Sequence, residues 1–347
     1  MLSDLDLNIA ASTGIEDLNI ADSAYDPHNA IVWAVDTEYG LIKIALNDKK
    51  FVGVPVERME GGLVIVCAGE DGGAYGLTQR DGCVVKFASD LSESADFTAR
   101  GAVDISASAG GVSALYVAGG RLEVARLDGD GKELWRTPVQ DIPGFPRGYR
   151  GTGVFAIGGR TIVISGDPKL QATILDETGA IERRVNIDLP GGTSGQNIDG
   201  ESHFPVSGRG RVDYLIGSAV DQFGETAAML YRSPVDAQRL VVIVIHLNDP
   251  GMVAVPYIVK EPTDQLGGFD GDRLLCIGGA PGRSHGRIFT TRLSDLETTA
   301  IEELSQAPAK PRWWDKYKLK FNVDPGMVHA DEIEEERGNF GGQDIRY

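Results

Sequence analysis

The first 42 residues contain no lysine or arginine. A secretory leader needs a positive start and an apolar stretch behind it, and organelle-targeting segments are rich in arginine. The opening MLSDLDLNIAASTGIEDLNIADS has neither, so a cytoplasmic start with no signal peptide is expected. Long hydrophobic runs are also missing. The longest clean one, Leu240 to Ile245, falls far short of the ~20 residues that span a bilayer. Cysteine is scarce: Cys67, Cys83 and Cys276 are an odd number with no Cys-x-x-Cys spacing. That pattern excludes a disulfide framework and suits a reducing compartment. Cys67, in LVIVCAG, and Cys276, in LLCIGG, read as small core residues. Positive charge is in deficit, with 33 Lys and Arg against 51 Asp and Glu, a formal net charge of −18. A surface this acidic repels phosphates, which argues against a nucleic-acid binder except where nucleic acid is transiting cargo.

Helical periodicity is nearly absent, and few windows place apolar residues at i, i+3, i+4 and i+7. What is present is 42% hydrophobic residues and 45 glycines in 347 positions. That glycine share, about 13%, compares with roughly 7% in average proteins. Short runs rich in Val, Ile and Leu alternate with Gly, Asp and Asn turns, the mark of many short antiparallel strands. A unit of strand, turn, mixed strand, Asp-Gly turn and third strand recurs six times. Its copies start at Ala30, Leu63, Val112, Thr161, Val212 and Arg273. A period of 40–50 residues built from about four strands is the sequence signature of a β-propeller. Additional strands are offered by AVDISAS from Ala102, YRGTGVFAI from Tyr149 and ESHFPVSG from Glu201. The expected fold is all-β, a six-bladed β-propeller with seven blades as the alternative. It spans residues 30–306, between an acidic N-terminal arm (1–29) and a C-terminal arm (307–347).

The third copy contains RLDGDGKELWRTPV, Arg126 to Val139. This resembles the repeat of quinoprotein-type (PQQ-like) propellers, in which a strand ends in Leu-Asp, turns at Gly and resumes with a Trp-bearing strand. ILDETGAIERRV from Ile174 repeats the pattern without the Trp, and RLSDLETTAIEEL from Arg292 lacks the Gly as well. The resemblance implies a propeller in which Trp135 packs between neighbouring sheets. It does not extend to the quinone, because the chain lacks the length, export signal and calcium ligands of those dehydrogenases. No cofactor is expected; calcium at the Asp128–Asp130 turn is an alternative, although Asp-Gly turns form without metal.

The two ends differ from the repeat. Leu7-Asn8-Ile9-Ala10 returns as Leu18-Asn19-Ile20-Ala21 within a segment holding six acidic residues and no basic one. It reads as a disordered acidic arm or as an extended arm docking its Leu and Ile on the propeller or on a partner. Beyond the Pro-rich linker at 307–311 comes RWWDKYKLKFNV. As a strand it would place Trp313, Tyr317, Leu319 and Phe321 on one face and Trp314, Lys316, Lys318 and Lys320 on the other. From Lys310 to Lys320 five basic residues face one acidic one. Trp313, Trp314, Lys316, Tyr317, Lys318, Lys320 and Phe321 are therefore the candidate partner-binding residues. The segment could pair with an acidic surface, add as an edge strand, close the last blade, or stack on nucleic acid.

Catalytic motifs are missing. There is no His-Glu-x-x-His, no Cys/His metal spacing, no phosphate loop and no Gly-x-Ser-x-Gly. One candidate metal cluster remains: Asp199, Glu201 and His203 alternate within the polar stretch 188–211, so a strand would place them on one side. The favoured function is a non-enzymatic assembly protein whose terminal arms lock the propeller into a homo-oligomer or onto other particle subunits, with no membrane span. Phage tail nozzles include propeller subunits arranged in rings, and this sequence is similar to them in architecture only. That suggests a virion component assembled in a host cytoplasm. A carbohydrate- or receptor-binding module and a metal-dependent propeller hydrolase or lactonase are the alternatives.

Overall fold

The computed structural model describes residues 6–8, 20–36, 40–46, 50–53, 62–91, 94–141, 152–165, 171–187, 215–221, 225–232, 240–261, 263, 265–278 and 286–298. Six antiparallel sheets follow one another along the chain and form a six-bladed β-propeller. This settles the blade count at six rather than seven. Among the described residues the only helical element is one 3-10 turn, Leu293–Asp295. None of the described helices is long and apolar enough to cross a membrane.

The chain starts in the last blade. Strand β1 (Asp6–Asn8) returns to that sheet and is considered below. Blade one holds β2 (Ile20–Asp26), β3 (Ile31–Asp36), β4 (Gly40–Ala45) and β5 (Lys50–Gly53). Blade two holds β6 (Leu63–Ala68), β7 (Ala74–Thr78), β8 (Val84–Phe87) and β9 (Ser94–Asp96). Blade three holds β10 (Ala102–Ser108), β11 (Gly111–Ala118), β12 (Arg121–Asp128) and β13 (Glu133–Asp141). Blade four holds β14 (Thr152–Ile157), β15 (Arg160–Ser165), β16 (Gln171–Leu175) and β17 (Ile181–Asn186). Blade five holds β18 (Leu215–Asp221), β19 (Thr226–Arg232), β20 (Leu240–His246) and β21 (Ala254–Val259). Blade six holds β22 (Gln265–Asp270), β23 (Arg273–Gly278) and β24 (Arg287–Arg292), and β25 (Glu297–Thr298) then adds to the outer edge of blade five.

Among the described residues there is no single central core. The buried side chains fall into six clusters, and each joins two consecutive blades, the sixth and first included. Alternation along a strand supplies both seams at once. In β3, Val32 and Ala34 face blade six while Ile31, Trp33 and Val35 face blade two. In β23, Leu275 and Ile277 face blade one while Leu274 and Cys276 face blade five. A middle strand is thus buried on both faces, which is why IVWAVD reads as a continuous apolar run.

Ring closure corrects the assignment of 1–29 as an arm outside the blades. Ile20–Asp26 is the inner strand of blade one, and Asp6–Asn8 is the outer strand of blade six. Asp6 pairs with Phe289, Leu7 with Ile288 and Asn8 with Arg287. The extended-arm alternative, in which the arm docks on the propeller, is met in part: residues 6–8 pair with blade six as a strand. Asp6 grips Arg287 through two hydrogen bonds of 2.8 and 3.1 Å, and Arg287 also reaches Glu261 at 3.0 Å. The Arg287 guanidinium beside Asp6 holds its carboxyl below the usual carboxylate range. The strands from Ala102 and Tyr149, proposed as extra fourth strands, are the inner strands of blades three and four.

The quinoprotein-like turns behave as the resemblance implies. Asp128 Oδ1 accepts the N–H groups of Asp130 and Lys132, and Asp176 Oδ1 accepts those of Thr178 and Ala180, at 2.8–3.0 Å. Each turn ends in a glycine with left-handed φ, Gly131 at +81° and Gly179 at +82°. An aromatic ring from the preceding blade lies on each. A Cβ on Gly179 would come 2.5 Å from the Trp135 ring, and one on Gly131 would come 2.5 Å from Phe97. Trp135 also donates its indole N–H to the Glu177 carbonyl at 2.8 Å. It therefore clamps blade three onto blade four.

Candidate functional site

The inner strands β2, β6, β10, β14, β18 and β22 surround a central cavity of about 500 Å³. Five of the six carry a register shift near their start: between Ile20 and Asp22, Leu63 and Ile65, Ala102 and Asp104, Leu215 and Gly217, and Leu266 and Gly268. A bulge adds local twist and re-aims the side chains that follow it. In β2 and β10 it puts a carboxylate on the neighbouring blade. Asp22 Oδ2 accepts the Val66 N–H at 2.8 Å and Asp104 Oδ2 accepts the Val154 N–H at 2.9 Å.

Other side chains repeat the device. Ser106 Oγ accepts the Ala156 N–H at 2.9 Å, Asp221 Oδ2 accepts the Gly271 N–H at 2.8 Å, and Gln265 donates its amide to the Ala21 carbonyl at 2.9 Å. Among the described residues, polar staples thus cross four of the six inner seams. Asp104 is half-buried and Asp22 nearly fully buried. Burial pushes the Asp104 carboxyl up to about 7, and pushes Asp22 well above its ordinary value. Cys67 is half-buried on the same wall, packed against the core seam between blades two and three, and burial beside Asp104 and Asp22 raises its thiol. No Lys, Arg or His is among the described residues that line the cavity.

Chemically this is a wall of small apolar groups, hydroxyls and two carboxyls whose oxygens are engaged with backbone N–H groups. Among the described residues no three or more His, Cys, Asp or Glu side chains converge to hold a metal. Asp199, Glu201 and His203 lie outside the described residues, as do Trp313, Trp314, Lys316, Tyr317, Lys318, Lys320 and Phe321. Asp128, paired with Asp130 in the calcium alternative, uses its Oδ1 to close the turn. Asp22 and Asp104 were missed as wall residues, yet Asp104 is the one acid of AVDISAS and Asp22 stands inside IADSAYD, away from the turn that Asp26 enters. An acid inside a strand, rather than at its turn, is the signal that marks them.

The fold and this wall define a closed six-bladed β-propeller with polar-stapled inner strands. No protein-family model and no curated protein matches the sequence. Among solved structures, it is similar to a chain of the "Crystal Structure of Mitotic Checkpoint Complex", with 10% identity, a TM-score of 0.49 and coverage of 83% of this chain and 90% of that one. It is also similar to a streptogramin B lyase, with 9% identity, a TM-score of 0.49 and coverage of 86% and 98%. Likeness at this level carries neither an activity nor a partner over to this chain.

Proposed function

We propose that the protein is a non-enzymatic assembly subunit, a closed acidic propeller joined to like or unlike subunits through its basic–aromatic segment at 310–320. The observation that carries this reading is the outer position of blade six. A C-terminal strand would complete that sheet in an open design, but Asp6–Asn8 already occupies it. The edge of blade five is likewise covered by Glu297–Thr298. With both of these edges taken, the two tryptophans and four lysines of the segment are read as serving assembly rather than a blade. A ring in a phage virion tail is the setting proposed for such a subunit. The hydrolase and glycan-binding alternatives turn on residues beyond those described, and metal analysis with glycan-array binding addresses them.

Sedimentation of the full chain beside Lys316→Glu/Lys318→Glu/Lys320→Glu tests the proposal. The native chain is expected to sediment as a defined oligomer, and the charge-reversed chain as a monomer. Identical sedimentation of the two overturns it.

A further inference from the structure

The two ends of the propeller differ in charge. Within each blade the strands run antiparallel, so the turns from first to second and from third to fourth strand share one end. Turn contacts agree with this: between blades two and three Glu70 accepts the N–H of Ala109 at 2.6 Å, and within blade six Leu293 donates its N–H to the Asp272 carbonyl at 2.7 Å. Among the described residues, these turns and the one following β24 carry ten Asp or Glu side chains and one lysine, Lys132. The described turns at the opposite end carry Arg80, Arg100 and Lys260 against Asp81 and Glu261. Among the described turns, the negative charge is thus concentrated on one end. Asp130, Glu177, Asp272 and Asp295 stand exposed there in blades three, four and six.

The same chain holds the complement. Lys310 to Lys320 has five basic residues to one acidic, interleaved with Trp313, Trp314 and Tyr317. We infer that the acidic turn end of one propeller receives the basic–aromatic segment of a second copy of this chain. This rests on the assembly reading above and names its acceptor. Complementary charge would set the register and speed encounter, and salt would weaken both.

The test is charge reversal with rescue, read by sedimentation of the full chain. Asp130→Lys/Glu177→Lys/Asp272→Lys/Asp295→Lys is expected to lose the oligomer, as Lys316→Glu/Lys318→Glu/Lys320→Glu does. The turn bonds run through other side chains, so the fold is retained, as circular dichroism and the melting profile would show. Combining both sets in one chain is expected to restore the oligomer. If segment reversal dissociates the protein while turn reversal leaves it assembled, the acceptor lies elsewhere and this inference is overturned, although the assembly reading stands. If neither reversal changes the mass, both are overturned. Loss of the oligomer in both sets without rescue in the combination also contradicts direct pairing.

Discussion

Asp104 Oδ2, on the inner strand of the third blade, accepts the backbone N–H of Val154 on the inner strand of the fourth at 2.9 Å. Its other oxygen accepts the N–H of Ile105 at 2.9 Å. One half-buried carboxyl therefore satisfies two donors on two blades. Asp104→Ala leaves both donors unpaired and is expected to cost about 1–3 kcal/mol in a denaturant titration. Asp104→Asn keeps an acceptor and is expected to cost less.

The same residue sets a pH dependence. Its carboxyl sits at about 7 in the fold, against ~3.9 for an unfolded aspartate. The folded state then binds more protons than the unfolded state, so stability falls as pH rises from about 4 to about 7. Asp22 acts in the same direction. Asp6 and Asp176, held low by Arg287 and by the Thr178 hydroxyl, act in the opposite direction and lose their contribution only below their unfolded value of ~3.9. Melting temperatures at pH 5 and pH 8 are expected to differ less in Asp104→Asn than in the native chain. An unchanged difference would remove Asp104 as the cause.

The Trp135 clamp predicts the effect of a single methyl group. Gly179→Ala places a Cβ against the indole and forces alanine into a left-handed φ. The expected loss is about 1–3 kcal/mol. Gly159→Ala, where the nearest atom to a Cβ is 3.5 Å away and φ is ordinary, is the control and is expected to be close to neutral.

Closure by β1 separates two contributions. The Asp6–Arg287 pair is exposed, and such pairs contribute about 0–1 kcal/mol, so Asp6→Ala is expected to shift the melt only slightly. Removing residues 1–8 uncovers the whole β24 edge, and open edges template association. The truncated chain is expected to aggregate on heating, a change that light scattering reads directly.

Thiol chemistry checks the burial pattern. Burial raises the thiols of Cys67, Cys83 and Cys276. A charged aromatic disulfide reagent at neutral pH is expected to label none in the native protein and all three in denaturant.

The propeller was legible because its middle strands are buried on two faces, so runs such as IVWAVD and LVVIVI recur with glycine turns between them. Blade phase was less legible. The inner strands carry bulges and polar staples, as in IADSAY and QLGGFD, and look weaker than the second strands, so repeats counted from Ala30 and Val112 begin one strand late. Closure was not legible at all. Asp6 and Arg287 are 281 positions apart, and a three-residue strand has too few side chains to show a period. The cavity wall was hidden for a related reason: Asp22 and Asp104 act through main-chain donors of the next blade, and backbone N–H groups leave no mark in a sequence.

Assembly through the basic–aromatic segment is the central claim, and the native mass of the full chain tests it most directly. At low salt the account predicts a single species at an integer multiple of the 37.1 kDa chain, falling toward one chain as salt screens the charges. A mass of one chain at every concentration and salt would contradict it.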